Sequence, residues 1–355
     1  MVHAVYLHIP FCENICHYCD FNKVFIKNQP VDKYLEMMDL EMKHTIERFY
    51  DKRMKTIYVG GGTPTSLNVK QLETLLQSIR SHFIFEENFE FTFEANPSNV
   101  DEEKLSLLKN FGVNRLSIGV QAFQSSILER IGRDHTEKDI YTMIETARKV
   151  GFDNISIDLM FGLPSQTVSM FEESLKKAIE LNVEHISAYS LQVEPKTIFY
   201  NEMKKGTLKL PSEDTEAEMF QLLIEQLTKH QFIHYEISNF AKLGKESQHN
   251  LTYWNKDEYY GIGAGAHSYI GGVRRRNAGP LKHYMNRIYE TGFPYIEEIH
   301  LSEREQMEEE LFLGLRKRSG VSVSKFERKF KRTIDDVYGD VIEEGSEEHT
   351  SELQS

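Results

Sequence analysis

A chain of 355 residues has room for two ordinary domains, or for one large barrel with an appendage. Its 42 Lys and Arg against 55 Asp and Glu leave a net charge of −13, too acidic for a surface that binds nucleic acid by neutralising phosphates. With 40% hydrophobic and 27% charged residues it has the balance of a folded protein, and no apolar run reaches the ~18 residues of a membrane span. Residues 1–5 lack the basic start and apolar core of a secretory signal, so a cytoplasmic protein is expected.

Residues 4–190 alternate short β-rich runs with amphipathic stretches of helical period. Taken in order, strands are expected at 4–9, 56–59, 90–95, 115–120, 154–158 and 185–189. Helices are expected at 31–49, 69–83, 102–111, 138–150 and 169–181, with Gly112 and Gly151 punctuating the junctions. Such alternation predicts an α/β fold, a parallel sheet with right-handed crossovers. Six units are too few for a closed eight-stranded barrel, so a partial (β/α)6 barrel over 1–200 is expected, its chemistry at the C-terminal strand ends. A smaller α+β region over 201–345 follows. Residues 194–210 read as an irregular connection. Ser212 then caps a helix over 213–230, with Glu213, Asp214 and Glu216 near its positive end. A strand at 232–238, a glycine-rich patch, and helices at 303–318 and 322–331 complete the region. The last ten residues, 346–355, have no apolar face and read as a translated sequencing adapter. The natural protein is therefore expected to continue past about Glu344, making this chain truncated. A stop codon directly after Ser355 at the source locus would refute that.

The three cysteines, Cys12, Cys16 and Cys19, stand in one polar stretch directly after the first strand. Three thiolates four and three residues apart can take three corners of a cubane [4Fe-4S] cluster. No fourth cysteine exists in the chain, which leaves one iron open to a non-protein ligand. The competing reading is a zinc site completed by His8 or His17, although structural zinc generally uses two separated ligand pairs.

This Cys-x3-Cys-x2-Cys spacing resembles the radical S-adenosylmethionine superfamily. The rest of the chain, from about Tyr6 to about Ile342, resembles its oxygen-independent coproporphyrinogen III oxidase group, and within that the heme chaperones of HemW type. Gly60-Gly61-Gly62-Thr63-Pro64-Thr65 follows the second strand without the Gly-Lys-Ser/Thr ending of a phosphate loop. The resemblance implies that Gly61, Gly62 and Thr63 contact the methionyl part of S-adenosylmethionine. Glu94, Gln121 and Asp158 all fall at C-terminal strand ends, where such a sheet binds ligands, and Arg133 suits a bidentate grip on a carboxylate. By the resemblance these positions bind S-adenosylmethionine, with Tyr6 and Tyr18 nearby and Tyr18 stacking on adenine. The implied chemistry is one-electron cleavage of the sulfonium by a low-potential cluster.

His249-Asn250-Leu251-Thr252-Tyr253-Trp254 holds the only tryptophan and is similar to a signature of the porphyrin branch. Read as an exposed loop, it makes His249 a candidate heme ligand; the alternative is a structural loop with His249 hydrogen-bonded to backbone. The segment 260–267 is glycine-rich without a dinucleotide fingerprint and reads as close backbone packing. Arg274-Arg275-Arg276 and the basic stretch 316–332 could meet heme propionates, or form solvated faces. Two departures separate the chain from the true oxidase: Phe21 stands where the oxidase has a further cysteine, and only eleven residues precede Cys12. The first reading is therefore a heme chaperone. It would carry a [4Fe-4S] cluster, S-adenosylmethionine and heme, and would have an electron donor and a respiratory apo-hemoprotein as partners. The alternative is an oxygen-independent coproporphyrinogen III dehydrogenase making protoporphyrinogen IX.

Overall fold

The computed structural model describes residues 1–352, with side chains through residue 343. The first half runs β1 (Ala4–Ile9), β2 (Phe11–Cys12), β3 (Val24–Phe25), α1 (Val31–Phe49), β4 (Arg53–Gly61), α2 (Val69–His82), β5 (Ile84–Ala95), α3 (Glu102–Asn110), β6 (Arg115–Gln121), α4 (Ser125–Arg130), α5 (Glu137–Val150), β7 (Ile155–Phe161), α6 (Val168–Glu180) and β8 (His185–Ser190). Every strand and helix expected over 4–190 is present. The helices start where side chains satisfy the free N–H groups of the first turn: Asn68, Asp101, Thr136 and Thr167 cap α2, α3, α5 and α6. Each buries one face on the sheet; in α2 that face is Leu72, Leu75, Leu76 and Ile79, each worth about 1.5–3 kcal/mol when fully buried.

Strands β1, β4, β5, β6, β7 and β8 are parallel neighbours in that order. They do not close on each other. The second half supplies α7 (Ile198–Lys204), α8 (Glu213–Lys229), β9 (Ile233–Glu236), β10 (Asn239–Ala241), α9 (Gln248–Trp254), β11 (Tyr259–Ile262), β12 (His267–Ile270), β13 (Val273–Asn277), α10 (Leu281–Thr291), β14 (Tyr295–His300), α11 (Glu303–Gly314), α12 (Val323–Phe330) and α13 (Ile334–Glu352). Strand β10 pairs antiparallel with β8, and β11 pairs parallel with β1, so both halves share one twelve-stranded sheet among the described residues. The helices α11 and α12 and the start of α13 pack around Met307, Phe326 and Phe330.

Four local expectations change. Residues 198–204, expected irregular, form α7, because Thr197 caps it and Phe199 is buried. The glycine patch is packed as expected but as strand: a Cβ on Gly261 would stand 1.9 Å from the His267 carbonyl oxygen, so only glycine admits the turn back into β12. The three arginines lie in β13 and are committed to carboxylates, Arg274 to Glu309, Arg275 to Glu298 and Arg276 to Glu297. The motif at 249–254 is helix α9, not an exposed loop. The tail set aside above has no described side chains; α13 runs as backbone to Glu352, and 353–355 lie outside the described residues.

Candidate functional site

Polar residues alternate with apolar ones along the parallel strands, and the alternation lines the barrel interior. On β6, Arg115, Ser117 and Gln121 border a central cavity while Leu116, Ile118 and Val120 join the core beneath the helices. On β7, Asp158 and Met160 do the same between Ile157, Leu159 and Phe161, and on β8 so do Ser187 and Tyr189. The cavity has a volume of about 420 Å³.

The cysteine loop is pinned over its mouth. A two-residue parallel ladder between β2 and β3 closes the neck, with Val24 N–H donating to Pro10 O (2.8 Å) and Ile26 N–H to Cys12 O (2.9 Å). The His17 N–H donates to Ile131 O at 2.9 Å, and Asn14 donates to Asp134, which also accepts from Ser98 (3.0 Å) and Asn96 (3.3 Å). Cys12, Cys16 and Cys19 all line the cavity, together with Tyr18, Gly61, Gly62, Thr63, Glu94, Gln121, Arg133 and Asp158. Tyr6 is not among the lining residues: its hydroxyl bonds His8 Nδ1 at 2.9 Å and its ring leans on Tyr58, one layer behind.

The zinc reading loses His8 as a ligand and finds no ligand set for a single ion among the described residues. His8 spends both ring nitrogens, on Tyr6 and on Asn22 O (2.7 Å), and His17 Nδ1 is bonded to Arg130 O at 2.9 Å. Among the described residues no three His, Cys, Asp or Glu side chains surround a single-ion position. Three soft thiols spread over one cavity wall are instead a donor set for an iron–sulfur cluster. Burial pushes the Cys12 thiol up to about 11, opposed by the Thr63 hydroxyl 3.8 Å from its sulfur, so cluster assembly there must release a proton.

A cradle for a small zwitterion adjoins the thiols. A Cβ on Gly62 would lie 2.8 Å from Phe11 O and 2.9 Å from Cys12 Sγ, and Gly61 holds φ +115°. Glu94 Oε1 accepts from the Tyr58 hydroxyl (2.7 Å) and Oε2 from Gly61 N–H (2.9 Å). Burial nevertheless pushes its carboxyl up to about 7. Gln121 sits in the left-handed region at φ +66°, at a bulge where β6 slips against β7 between Gly119 and Gln121; the bulge re-aims its side chain into the cavity. Arg133 Nε is buried without a partner, a donor waiting for an acceptor. Asp158 is raised by burial and accepts from Ser117 at 3.4 Å. The residues therefore fit both groups: soft thiols for a cluster, and an orphaned guanidinium donor, a bare glycine loop and buried carboxylates for S-adenosylmethionine.

Helix α9 forms part of the cavity floor through Asn250. The buried Glu90 carboxylate of β5 holds the helix start, accepting from Gln248 N–H (2.9 Å) and His249 N–H (3.0 Å). His249 is 1% exposed, with Nδ1 bonded to Thr56 Oγ1 (2.9 Å) and Nε2 to the Tyr253 hydroxyl (2.8 Å). Burial pushes its pKa down to about 3. An imidazole with both nitrogens engaged inside the barrel has no free electron pair for a heme iron, which corrects the expected ligand. Arg115, Asn250, Tyr58 and Ser187 also line the cavity and escaped sequence reasoning. The polar–apolar alternation along 115–121 was the available signal for Arg115.

A thiol loop at the mouth of an open parallel barrel, beside a glycine cradle and an arginine with an unpartnered Nε, defines a radical S-adenosylmethionine type of protein. The Radical SAM superfamily model matches residues 6–178, and the HemN C-terminal domain model matches 301–348. Heme chaperone HemW of Bacillus subtilis is 52% identical, the match covering 98% of this chain and 93% of that protein. HemW of Lactococcus lactis is 46% identical over 96% and 88%. Among solved structures, coproporphyrinogen III oxidase (HemN) from Escherichia coli, a radical SAM enzyme, superposes with a TM-score of 0.85 at 27% identity, over 96% of this chain and 82% of that one. The chain belongs to the HemW family of heme chaperones.

Proposed function

We propose that this protein is a heme chaperone that holds a [4Fe-4S] cluster and S-adenosylmethionine in the barrel cavity, binds heme, and passes it to an acceptor apo-hemoprotein. The observation that carries the reading is the single cavity in which Cys12, Cys16 and Cys19 face Glu94, Gln121, Arg133 and Asp158, in a chain 52% identical to a HemW chaperone over nearly its whole length.

When bound, the cluster and nucleotide supply low-potential one-electron chemistry. The chain's own work is to hold and orient. Cys12, Cys16 and Cys19 would ligate three irons as thiolates, the metal displacing the protons that burial favours. Arg133 Nε, which has no partner of its own, would donate to the ligand's carboxylate, and the left-handed Gln121 would offer its amide to the nucleotide. Glu94 sits against the glycine loop and holds or releases a proton on its carboxylate near neutral pH. Tyr18 packs against the satellite core around Leu128 and Ile131 and shields that side of the cavity from water. Exposed Glu13, Asp20 and Phe21 on the same loop lie where an external electron donor would approach. No helix among the described residues is long and apolar enough to cross a membrane.

Fold likeness to HemN favours a second reading, coproporphyrinogen oxidation. A parallel assay separates the two. Protein with a reconstituted cluster should bind hemin stoichiometrically, read in the Soret band. It should form no protoporphyrinogen anaerobically from coproporphyrinogen, S-adenosylmethionine and a reductant. Turnover in that assay would reverse the order of the readings. Cys16→Ser should abolish the brown cluster absorbance; its retention would refute the ligand assignment.

A further inference from the structure

One buried charge in the barrel has no counter-ion. Arg115 is 2% exposed, borders the cysteine-lined cavity and makes no ion pair among the described residues. Its Nη1 donates to Thr92 Oγ1 at 3.5 Å, and its Nε has no partner. A guanidinium stays charged at any working pH, and burying one without a partner is costly. The groups that feel its field are therefore the place to look for its role.

The register of the sheet sets two carboxylates beside it. On the inward face of β6, Arg115, Ser117 and Gly119 form a column between β5 and β7. Arg115 pairs with Thr92 and Ser117 with Glu94 on one side, while Gly119 pairs with Asp158 on the other. Arg133 covers the mouth end of the column, since a Cβ on Gly119 would stand 2.7 Å from its Nη2. Glu94 and Asp158 thus lie between two guanidiniums, Arg133 at the mouth and Arg115 at the floor. Of the other titratable neighbours, Glu90 turns its carboxylate to the N–H groups of α9. His185 and His249 are neutral, pushed down by burial first and by Arg115 second. Tyr58, Tyr189 and Tyr235 keep their protons, burial pushing all three up. Burial also raises the two carboxyls, Glu94 to about 7, and Arg115 opposes the rise at both.

We propose that Arg115 is the fixed counter-charge of the nucleotide cradle, keeping Glu94 and Asp158 as carboxylates for S-adenosylmethionine, a ligand with one positive charge in excess. Arg133 cannot fill this role alone, because the ligand's own carboxylate neutralises it on binding. Arg115 acts through the two carboxylates and is a positioning residue. The assignment rests on the radical S-adenosylmethionine reading of the cavity and adds the source of its charge balance.

Calorimetric titration of S-adenosylmethionine into anaerobic, cluster-loaded protein, from about pH 6.5 to about pH 9, tests it. The ligand's own amine titrates in this span. The quantity read is therefore the ratio of variant to native affinity at each pH, in which that titration cancels. Arg115→Gln lets both carboxyl pKa values rise, so binding should be about tenfold weaker near pH 7 and return to about native strength near pH 9. Arg115→Lys keeps the charge, and its ratio should stay near one throughout; it decides the matter where the glutamine variant does not fold. A ratio equally low at both ends of the range, in either variant, would mark a packing role and overturn the proposal. So would an Arg115→Gln ratio of one at every pH. Native protein that takes up a cluster but binds no S-adenosylmethionine would refute the reading of the cavity itself.

Discussion

Single residues set the cavity's chemistry through what their neighbours exclude. Gly119 has an ordinary backbone angle, yet a Cβ there would stand 2.7 Å from Arg133 Nη2 and 3.2 Å from Gln121 Nε2. Gly119→Ala should therefore displace the two side chains assigned to S-adenosylmethionine. An affinity about tenfold weaker by calorimetry is expected, with the melting temperature little changed, since the clash is with flexible side-chain ends. Unchanged affinity would remove Arg133 and Gln121 from the nucleotide site. Gly62 is less forgiving, because its neighbours are backbone and the Cys12 sulfur, so Gly62→Ala should disturb the cluster loop as well.

At the scale of elements, α9 shows how a motif with suggestive chemistry can serve packing. Its seven residues are too few to be stable alone. Ser247 caps it, Glu90 takes two of its free N–H groups, and the Arg316 guanidinium lies 4.3 Å from the Trp254 ring centre. Glu90→Ala strands two buried donors, which costs roughly 1–3 kcal/mol each, so a loss of about 2–6 kcal/mol in urea unfolding is expected. Glu90→Gln, which keeps an acceptor, should cost less. His249→Ala should lower stability while leaving the Soret maximum of the hemin complex in place; a shifted maximum would return the ligand to α9.

For the whole molecule, one buried carboxyl reinforces the join that the shared sheet makes between the halves. Glu41 of α1 accepts from Gly263 N–H (2.8 Å), Asn277 Nδ2 (2.8 Å) and the Tyr284 hydroxyl, tying β11, β13 and α10 to the first helix. Burial pushes its pKa from 4.5 up to about 7. The folded state thus holds the proton more tightly than the unfolded chain. Its contribution is complete below about pH 4.5 and is lost as pH rises through 7, on the order of 3 kcal/mol over the span. Glu41→Gln should abolish that term. Between pH 5 and 8 the native protein should lose stability relative to the variant, measured by urea midpoints; parallel pH curves would contradict the assigned burial.

The strands and helices over 4–190 were legible because period-2 and period-3.6 patterns, with Asn, Asp and Thr caps at helix starts, are local properties of the chain. The thiol loop and the strand-end residues were legible for the same reason: three cysteines in eight residues, and polar residues closing apolar runs, carry their chemistry in their spacing. Partners distant in sequence were not. That His249 is spent on Thr56, that the glycine patch becomes a strand beside β1, and that three arginines are matched to Glu297, Glu298 and Glu309 depend on contacts across tens to hundreds of residues. Burial decides whether a nitrogen or a charge is free to act, and burial exists only once the sheet has brought its two halves together.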